Sequence, residues 1–316
     1  MYGTDASYGN AAEGHGHFQG KRSKDLVNWD WVGGPFYNPP TWVADSLNAI
    51  RTRMGLSAIA KSNIQYGYWA PVVRKVTVGG KDILRMYYSI VIFNYIKTGK
   101  ANTTANFDGS WTERAFIGVC ESTDPAGAVW IDKGFVTSSS SDRGLDYNRA
   151  NTSDWSAYFY YNAIDPTYIV APDGKHYLIH GSWHSGFALL QLDPTSGKPL
   201  NKLGNPWAST TSDLASRYGV RIGTRTASSR WQGSEAPEVI YKDGYYYLFM
   251  AYDGLDVPYN TRVVRSTNIE GPYLDITGRS FTNGDGDSYP IVTHPYKFNL
   301  SNGWVGISHC CVFHKQ

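Results

Sequence analysis

The chain has 316 residues, 41% of them hydrophobic and only 18% charged, with a formal net charge of +2. That balance supplies a large core and lacks the basic surplus of a nucleic-acid binder, and no apolar run reaches the roughly 20 residues that cross a bilayer. Three cysteines, Cys120, Cys310 and Cys311, give neither a disulfide framework nor a metal-binding C-x-x-C spacing. All-β folds of this length often form one unit, so residues 1–316 are expected to make a single domain.

In chain order, Met1-Tyr2-Gly3-Thr4 has neither a charged nor an apolar leader region, so it is no signal peptide and reads as the last piece of a second strand. Ala44 to Ala60 is the best helical candidate, inside an apparent insertion from Pro39 to Gln65. A pattern then recurs three times: a short opening ending in proline, an apolar strand, a Gly turn and a Tyr-rich strand. The first copy runs from Tyr68-Trp69-Ala70-Pro71 through Val72 to Val78, Gly79-Gly80 and Ile83 to Ile92. The second runs from Ile164-Asp165-Pro166 through Thr167 to Val170, Asp173-Gly174 and Tyr177 to Gly181. The third runs from Ser234-Glu235-Ala236-Pro237 through Val239 to Tyr241, Asp243-Gly244 and Tyr245 to Tyr252. Asp-Gly between alternating runs is a strong hairpin signal, and a proline suits a first strand position, where no ladder donor is needed.

Further strand-like runs, Ala115 to Cys120 and Arg262 to Ser266, lie between the copies, and Ser308 to Lys315 reads as a first strand without its partner. Many short strands fit a sandwich, a barrel or a propeller, and a multi-strand repeat favours the propeller. Three whole repeats and two halves leave strands missing at both chain ends. The expected state is a monomer, or a dimer joined through those unpaired end strands.

Asp165 and Glu235 open repeats at places that look equivalent, with Trp69 opening the first copy at the same level. In a propeller such openings converge on one mouth of the central channel. Glycoside hydrolysis needs that convergence: one carboxylic acid protonates the leaving oxygen and a second carboxylate activates water or attacks carbon. A further carboxylate keeps the acid protonated, since a nearby negative charge raises its pKa. The plainer alternative is that Asp before proline marks a turn and that Glu235 only solvates a strand end. Most of the 24 tyrosines likewise serve as strand residues.

Several segments resemble one family in order. Asn162-Ala163-Ile164-Asp165-Pro166 followed by Gly181-Ser182-Trp183 resembles the middle signature of glycoside hydrolase family 43 arabinanases. Ser234-Glu235-Ala236-Pro237 with Tyr245-Tyr246-Tyr247-Leu248-Phe249 resembles the signature that bears the acid, and Tyr68-Trp69-Ala70-Pro71 the Trp-Ala-Pro segment. Ser23 to Trp29, Gly271 to Asp275 and Trp304 to His309 also match in order. The resemblance implies a five-bladed β-propeller and inverting hydrolysis of α-1,5-linked L-arabinofuranosyl chains (arabinan), endo or exo. It implies Glu235 as general acid and Asp165 as the carboxylate that orients it and raises its pKa. Trp69, Phe93, Asn162 and Ser182 would line the sugar subsites. His309 would face a calcium ion in the channel, largely coordinated by water, because calcium prefers oxygen ligands. A secreted or periplasmic location of the intact protein follows from the same resemblance.

The departures define the alternatives. The family's base is an Asp ahead of its Tyr-Gly-Thr stretch; here Tyr2-Gly3-Thr4 opens the sequence, and Asp5, the nearest acid, does not match the motif. A non-catalytic propeller that binds arabino-oligosaccharides is therefore one alternative. An α-L-arabinofuranosidase or β-xylosidase of the same family is another, although Asn-Ala-Ile-Asp-Pro favours the arabinanase. The Pro39 to Gln65 insertion is expected near the mouth, where it would block one end of the cleft and favour exo attack.

Overall fold

The computed structural model describes residues 1–5, 15–53, 57–92, 114–140, 160–203, 218–256, 258–292 and 306–313. They form an all-β fold of four antiparallel sheets with one α-helix. A hairpin of β1 (Gly20–Arg22) and β2 (Asp30–Gly33) comes first, with Tyr2 bridged to Gly20. The second sheet contains β3 (Tyr66–Val78), β4 (Lys81–Ile92), β5 (Arg114–Ser122) and β6 (Ile131–Ser138) in sequence order. The third contains β7 (Thr167–Val170), β8 (His176–His180), β9 (Phe187–Leu192) and β10 (Val220–Gly223), again in order. The fourth contains β11 (Ser234–Lys242), β12 (Tyr245–Tyr252) and β13 (Asn260–Ser266).

Turn chemistry sets the registers. Val78 pairs with Lys81 around Gly79-Gly80, and Lys242 pairs with Tyr245 around Asp243-Gly244. All four turn residues have positive φ, as a two-residue turn that follows the strand twist requires. The Asp173-Gly174 turn is longer: Val170 pairs with His176, and Ala171 N–H closes the loop on Lys175 O at 2.8 Å.

Strand side chains alternate between faces, and here both faces are buried. On β4, Met86, Tyr88, Ile90 and Ile92 enter one core cluster while Tyr87 and Val91 enter another. On β8, Leu178 joins the cluster shared with the second sheet, and Tyr177 and Ile179 join the one shared with the fourth. The core thus lies in layers between successive sheets. The first strands, β3, β7 and β11, lie against one another.

The insertion plays a different part from the one expected. Its helix α1 spans Thr41–Arg53 rather than Ala44 to Ala60, and a 3-10 turn follows at Lys61–Asn63. Pro39 and Pro40 precede the helix, with Val43 N–H donating to Pro40 O. Val43, Ala44, Leu47 and Ile50 bury one helical stripe against Phe18, Phe36, Tyr68 and Tyr88. Trp42 meets Phe116 and Phe135 edge-on. The helix is therefore core structure, and its residues do not line the cavity between the first strands. The strand expected at Ser308 to Lys315 is also not found: residues 308–313 carry no ladder, and the segment is held by side chains such as Thr261 Oγ1 to Ser308 Oγ at 3.1 Å.

One buried cation joins the second and third sheets. Arg85, with no exposed side-chain surface, donates from Nε and Nη2 to Glu121 Oε1 at 2.9 and 2.7 Å. It also donates to the carbonyls of Pro194 and Thr195 in the turn after β9, at 2.9 and 3.0 Å. Gly197 has φ +68, and a Cβ there would sit 3.0 Å from Arg85 Nε. Replacing Arg85→Met leaves Glu121 with only Lys133 Nζ at 3.9 Å among the described residues and removes the donor to two carbonyls, and should lower unfolding stability by about 3 kcal/mol; urea denaturation of the two proteins measures the difference.

Candidate active site

The site is built on a repeated backbone irregularity. Register slips between Trp69 and Val72 on β3 and between Glu235 and Glu238 on β11, so Ala70-Pro71 and Ala236-Pro237 are β-bulges. Gly181 N–H meets Ile164 O at 3.0 Å, which puts Asp165-Pro166 at the same place before β7. Ala70, Asp165 and Ala236 have φ of 45°, 56° and 53°, and His309 has φ 53°. An L-residue held in that left-handed region costs about 1–2 kcal/mol, and such strain gathers where backbone is re-aimed for a purpose.

The two carboxylates are therefore not at equivalent places. Asp165 matches Ala70 and Ala236, whereas Glu235 matches Trp69 and Ile164. The proline fixes the frame: Asp165 is one residue before it and Glu235 is two. They converge nonetheless. Ala236 N–H donates to Asp165 Oδ2 at 3.0 Å, so the neighbour of Glu235 is tied directly to Asp165.

Glu235 is 9% exposed and accepts three hydrogen bonds. Ser182 Oγ and Trp183 Nε1 donate to Oε2 at 3.2 and 2.7 Å, and Tyr259 OH donates to Oε1 at 2.6 Å. Burial, and then the charge of Glu235, push the Tyr259 phenol far above its ordinary range, so it stays protonated. Asp165 is 6% exposed. Burial raises its pKa to about 6; His309 opposes the rise, Glu235 adds to it, and bonds from Ala236 N–H and the Ser182 hydroxyl oppose it.

The other expected site residues divide. Ser182 is buried and points at Glu235, so it positions the carboxylate. Asn162 is 1% exposed, with its side-chain oxygen taken by Ser139 Oγ at 3.0 Å and its carbonyl facing His180 Nδ1 at 3.1 Å. Trp69 is half-buried and packs on the core between the second and third sheets. His309 stands with Asp165 on the wall of a cavity of ≈ 720 Å³ between the first strands. Phe93 lies outside the described residues. Asp5 is buried, with Oδ1 taken by Phe18 N–H at 2.9 Å and Oδ2 against His17 Nδ1 at 2.5 Å. Among the described residues no three His, Cys, Asp or Glu side chains converge. Calcium takes six to eight oxygen ligands, and His309 with Asp165 does not supply that set.

The family model for glycosyl hydrolases family 43 matches residues 3–294. The chain belongs to that family. Among similar family 43 proteins, the extracellular endo-α-(1→5)-L-arabinanase of Thermotoga petrophila is 27% identical over 290 residues, which cover 89% of this chain and 51% of that protein. Extracellular endo-α-(1→5)-L-arabinanase 1 of Bacillus subtilis is 28% identical over 84% of this chain and 62% of its own length. The chain thus spans between half and two thirds of these two relatives. Among solved structures, the endo-arabinanase of Bacillus licheniformis shares 25% identity with a TM-score of 0.56, over 90% of this chain and 73% of that one. Cellvibrio cellulosa α-L-arabinanase complexed with arabinohexaose shares the fold at 24% identity and a TM-score of 0.56, over 94% and 76%.

Sequence reasoning did not find Tyr259, the Ala236 N–H or the role of the Trp183 indole. Counting back from the prolines would have exposed the one-residue offset between the carboxylates, but nothing local marks Tyr259 as a partner of Glu235.

The raised pKa of Asp165 has a stability consequence with a definite sign. The folded chain holds this proton more tightly than the unfolded chain, whose ordinary value is 3.8. Ionising it therefore costs stability: nothing below the ordinary value, and the full amount above about 6, some 3 kcal/mol at most. Asp165→Asn keeps an acceptor for Ala236 N–H and removes the buried charge. It should raise the melting temperature at pH 7.5, with the gain vanishing near pH 4, and a thermal shift that is the same at both pH values would contradict this.

Proposed function

We propose that this chain hydrolyses α-1,5-linked L-arabinofuranosyl chains with inversion. The observation that carries the reading is the pair of buried carboxylates, Glu235 and Asp165, with Asp165 bound to the Ala236 N–H beside Glu235 and the Ser182 hydroxyl donating to Glu235. The relatives named arabinanases support the substrate, and their description as extracellular supports export of the intact protein. We also read the fold as a five-bladed β-propeller. Its support is that the starts of β3, β7 and β11 come together on one cavity with the chain around Thr4, Arg22 to Trp29 and His309 to Cys311.

In this mechanism Glu235 donates a proton to the glycosidic oxygen as the bond breaks. Asp165 fixes the backbone beside it through the Ala236 N–H. A water attacks from the opposite face, activated by a base roughly 6.5–9.5 Å from the acid. A calcium ion facing His309 would be held chiefly by water, and no step runs through it.

The test is reducing-sugar release from linear 1,5-arabinan, with xylan as the off-target substrate. Release from arabinan alone, falling about a hundredfold or more in Glu235→Gln, is the expected result for a general acid. Binding of arabino-oligosaccharides without turnover at any pH would instead assign a carbohydrate-binding role.

A further inference from the structure

Beside Glu235 stands an aromatic surface that the acid–base chemistry does not use. Trp183, whose indole holds Glu235 Oε2, has a second tryptophan against it: the ring of Trp231 lies 4.8 Å away, inclined by 45°. Trp231 keeps 39% of its surface exposed, and on another side it meets the edge of the fully buried His184 ring at 90°. Burial, aided by Arg230, holds His184 neutral by lowering its pKa to about 3.

The loop that carries Trp231 is fixed from within. Gln232, 3% exposed, accepts from Thr224 Oγ1 at 2.6 Å and Thr226 N–H at 2.9 Å, and donates to the carbonyls of Thr226 and Ser229. Its own N–H donates to Trp183 O at 2.8 Å, and Ser185 N–H donates to Arg230 O at 2.8 Å. Trp231 N–H closes on Ser229 Oγ at 3.0 Å. A large exposed ring is thus held on a stiff loop, one aromatic contact from the carboxylate. A tryptophan so placed offers broad apolar contact for little loss of conformational freedom.

We propose that Trp231 is a stacking platform for a sugar unit of the bound chain, a specificity-determining residue that reads chain length rather than taking part in bond cleavage. The ligand class, a neutral furanose oligomer, follows from the proposed function, and the ring offers it apolar contact without charge. The inference rests on the proposed glycosidase reading, and the experiment separates the two. Binding of arabinobiose and arabinohexaose is measured by calorimetry in Glu235→Gln protein, with and without Trp231→Ala. KM, kcat and melting temperature are measured for the parent, Trp231→Ala and Trp231→Phe. The expected result is that Trp231→Ala weakens arabinohexaose binding and raises its KM about tenfold, leaves kcat and melting temperature nearly unchanged, and affects arabinobiose less. Trp231→Phe should restore most of the affinity. Unchanged hexaose affinity in an active parent overturns this inference alone. So does a loss that tracks a fall in melting temperature, which would make Trp231 a packing residue. A parent that neither binds nor cleaves any arabino-oligosaccharide overturns the functional reading and this inference together.

Discussion

The site depends on a backbone irregularity before it depends on any side chain. A regular strand through Ala236-Pro237 would have to supply a ladder donor at proline, which has none. The bulge removes that demand and rotates the chain by one residue, so that Glu235 and the Ala236 N–H reach the same neighbourhood from consecutive positions. The same distortion before β7 brings Asp165 into reach of that N–H. A non-glycine residue in the left-handed region persists only where its surroundings over-determine it. At Asp165 that surrounding is the Ala236 N–H itself, so each strained strand opening helps to hold the next.

Strand β11 carries two buried carboxylates with opposite fates, three residues apart. Glu238 is a structural tie: Arg74 Nη2 donates to Oε1 at 2.5 Å, Val312 N–H to Oε1 at 3.2 Å, and Thr167 Oγ1 to Oε2 at 2.8 Å. Its partners come from β3, from β7 and from the segment after His309, so one side chain fastens four chain segments. A guanidinium makes that carboxylate one half of an ion pair, and breaking such a pair leaves an uncompensated charge. Glu235 instead receives only neutral donors, and Asp165 sits in a place that burial makes unfavourable for its charge. Stability is given up at the upper pair and recovered at the lower one, as expected where a working site is set into a stable frame.

Much of this architecture was legible in the sequence, and the losses have identifiable physics. Two-residue turns at Gly79-Gly80 and Asp243-Gly244 are local devices, so their hairpins could be read from spacing. The strands β7 and β12 fell at the expected residues because their apolar runs are short and end at turn residues. The helix was misplaced at both ends, since its boundary is set by Pro39 and Pro40 and its purpose by packing on Phe18 and Tyr88, which lie far away in sequence. The candidate site residues were chosen by their place in motifs, and no local pattern shows that the Asn162 side chain accepts from Ser139 or that the Ser182 hydroxyl meets Glu235. Tyr259 had no local signal at all: its bond to Glu235 exists only because β11, β12 and β13 fold back on one another.

The donors around Glu235 also constrain where a transferable proton can sit. An indole N–H can donate and never accept, so the oxygen facing Trp183 has to remain an acceptor in either charge state. That oxygen is Oε2, which Ser182 also addresses. Oε1 faces a phenol, and a phenol hydroxyl can turn from donor to acceptor. A hydrogen placed on Oε1 would face Tyr259, whose hydroxyl would then have to turn and accept it. The arrangement separates Trp183 and Tyr259: the first holds Oε2, and the second holds Oε1, the oxygen that in the proposed mechanism would meet the leaving group.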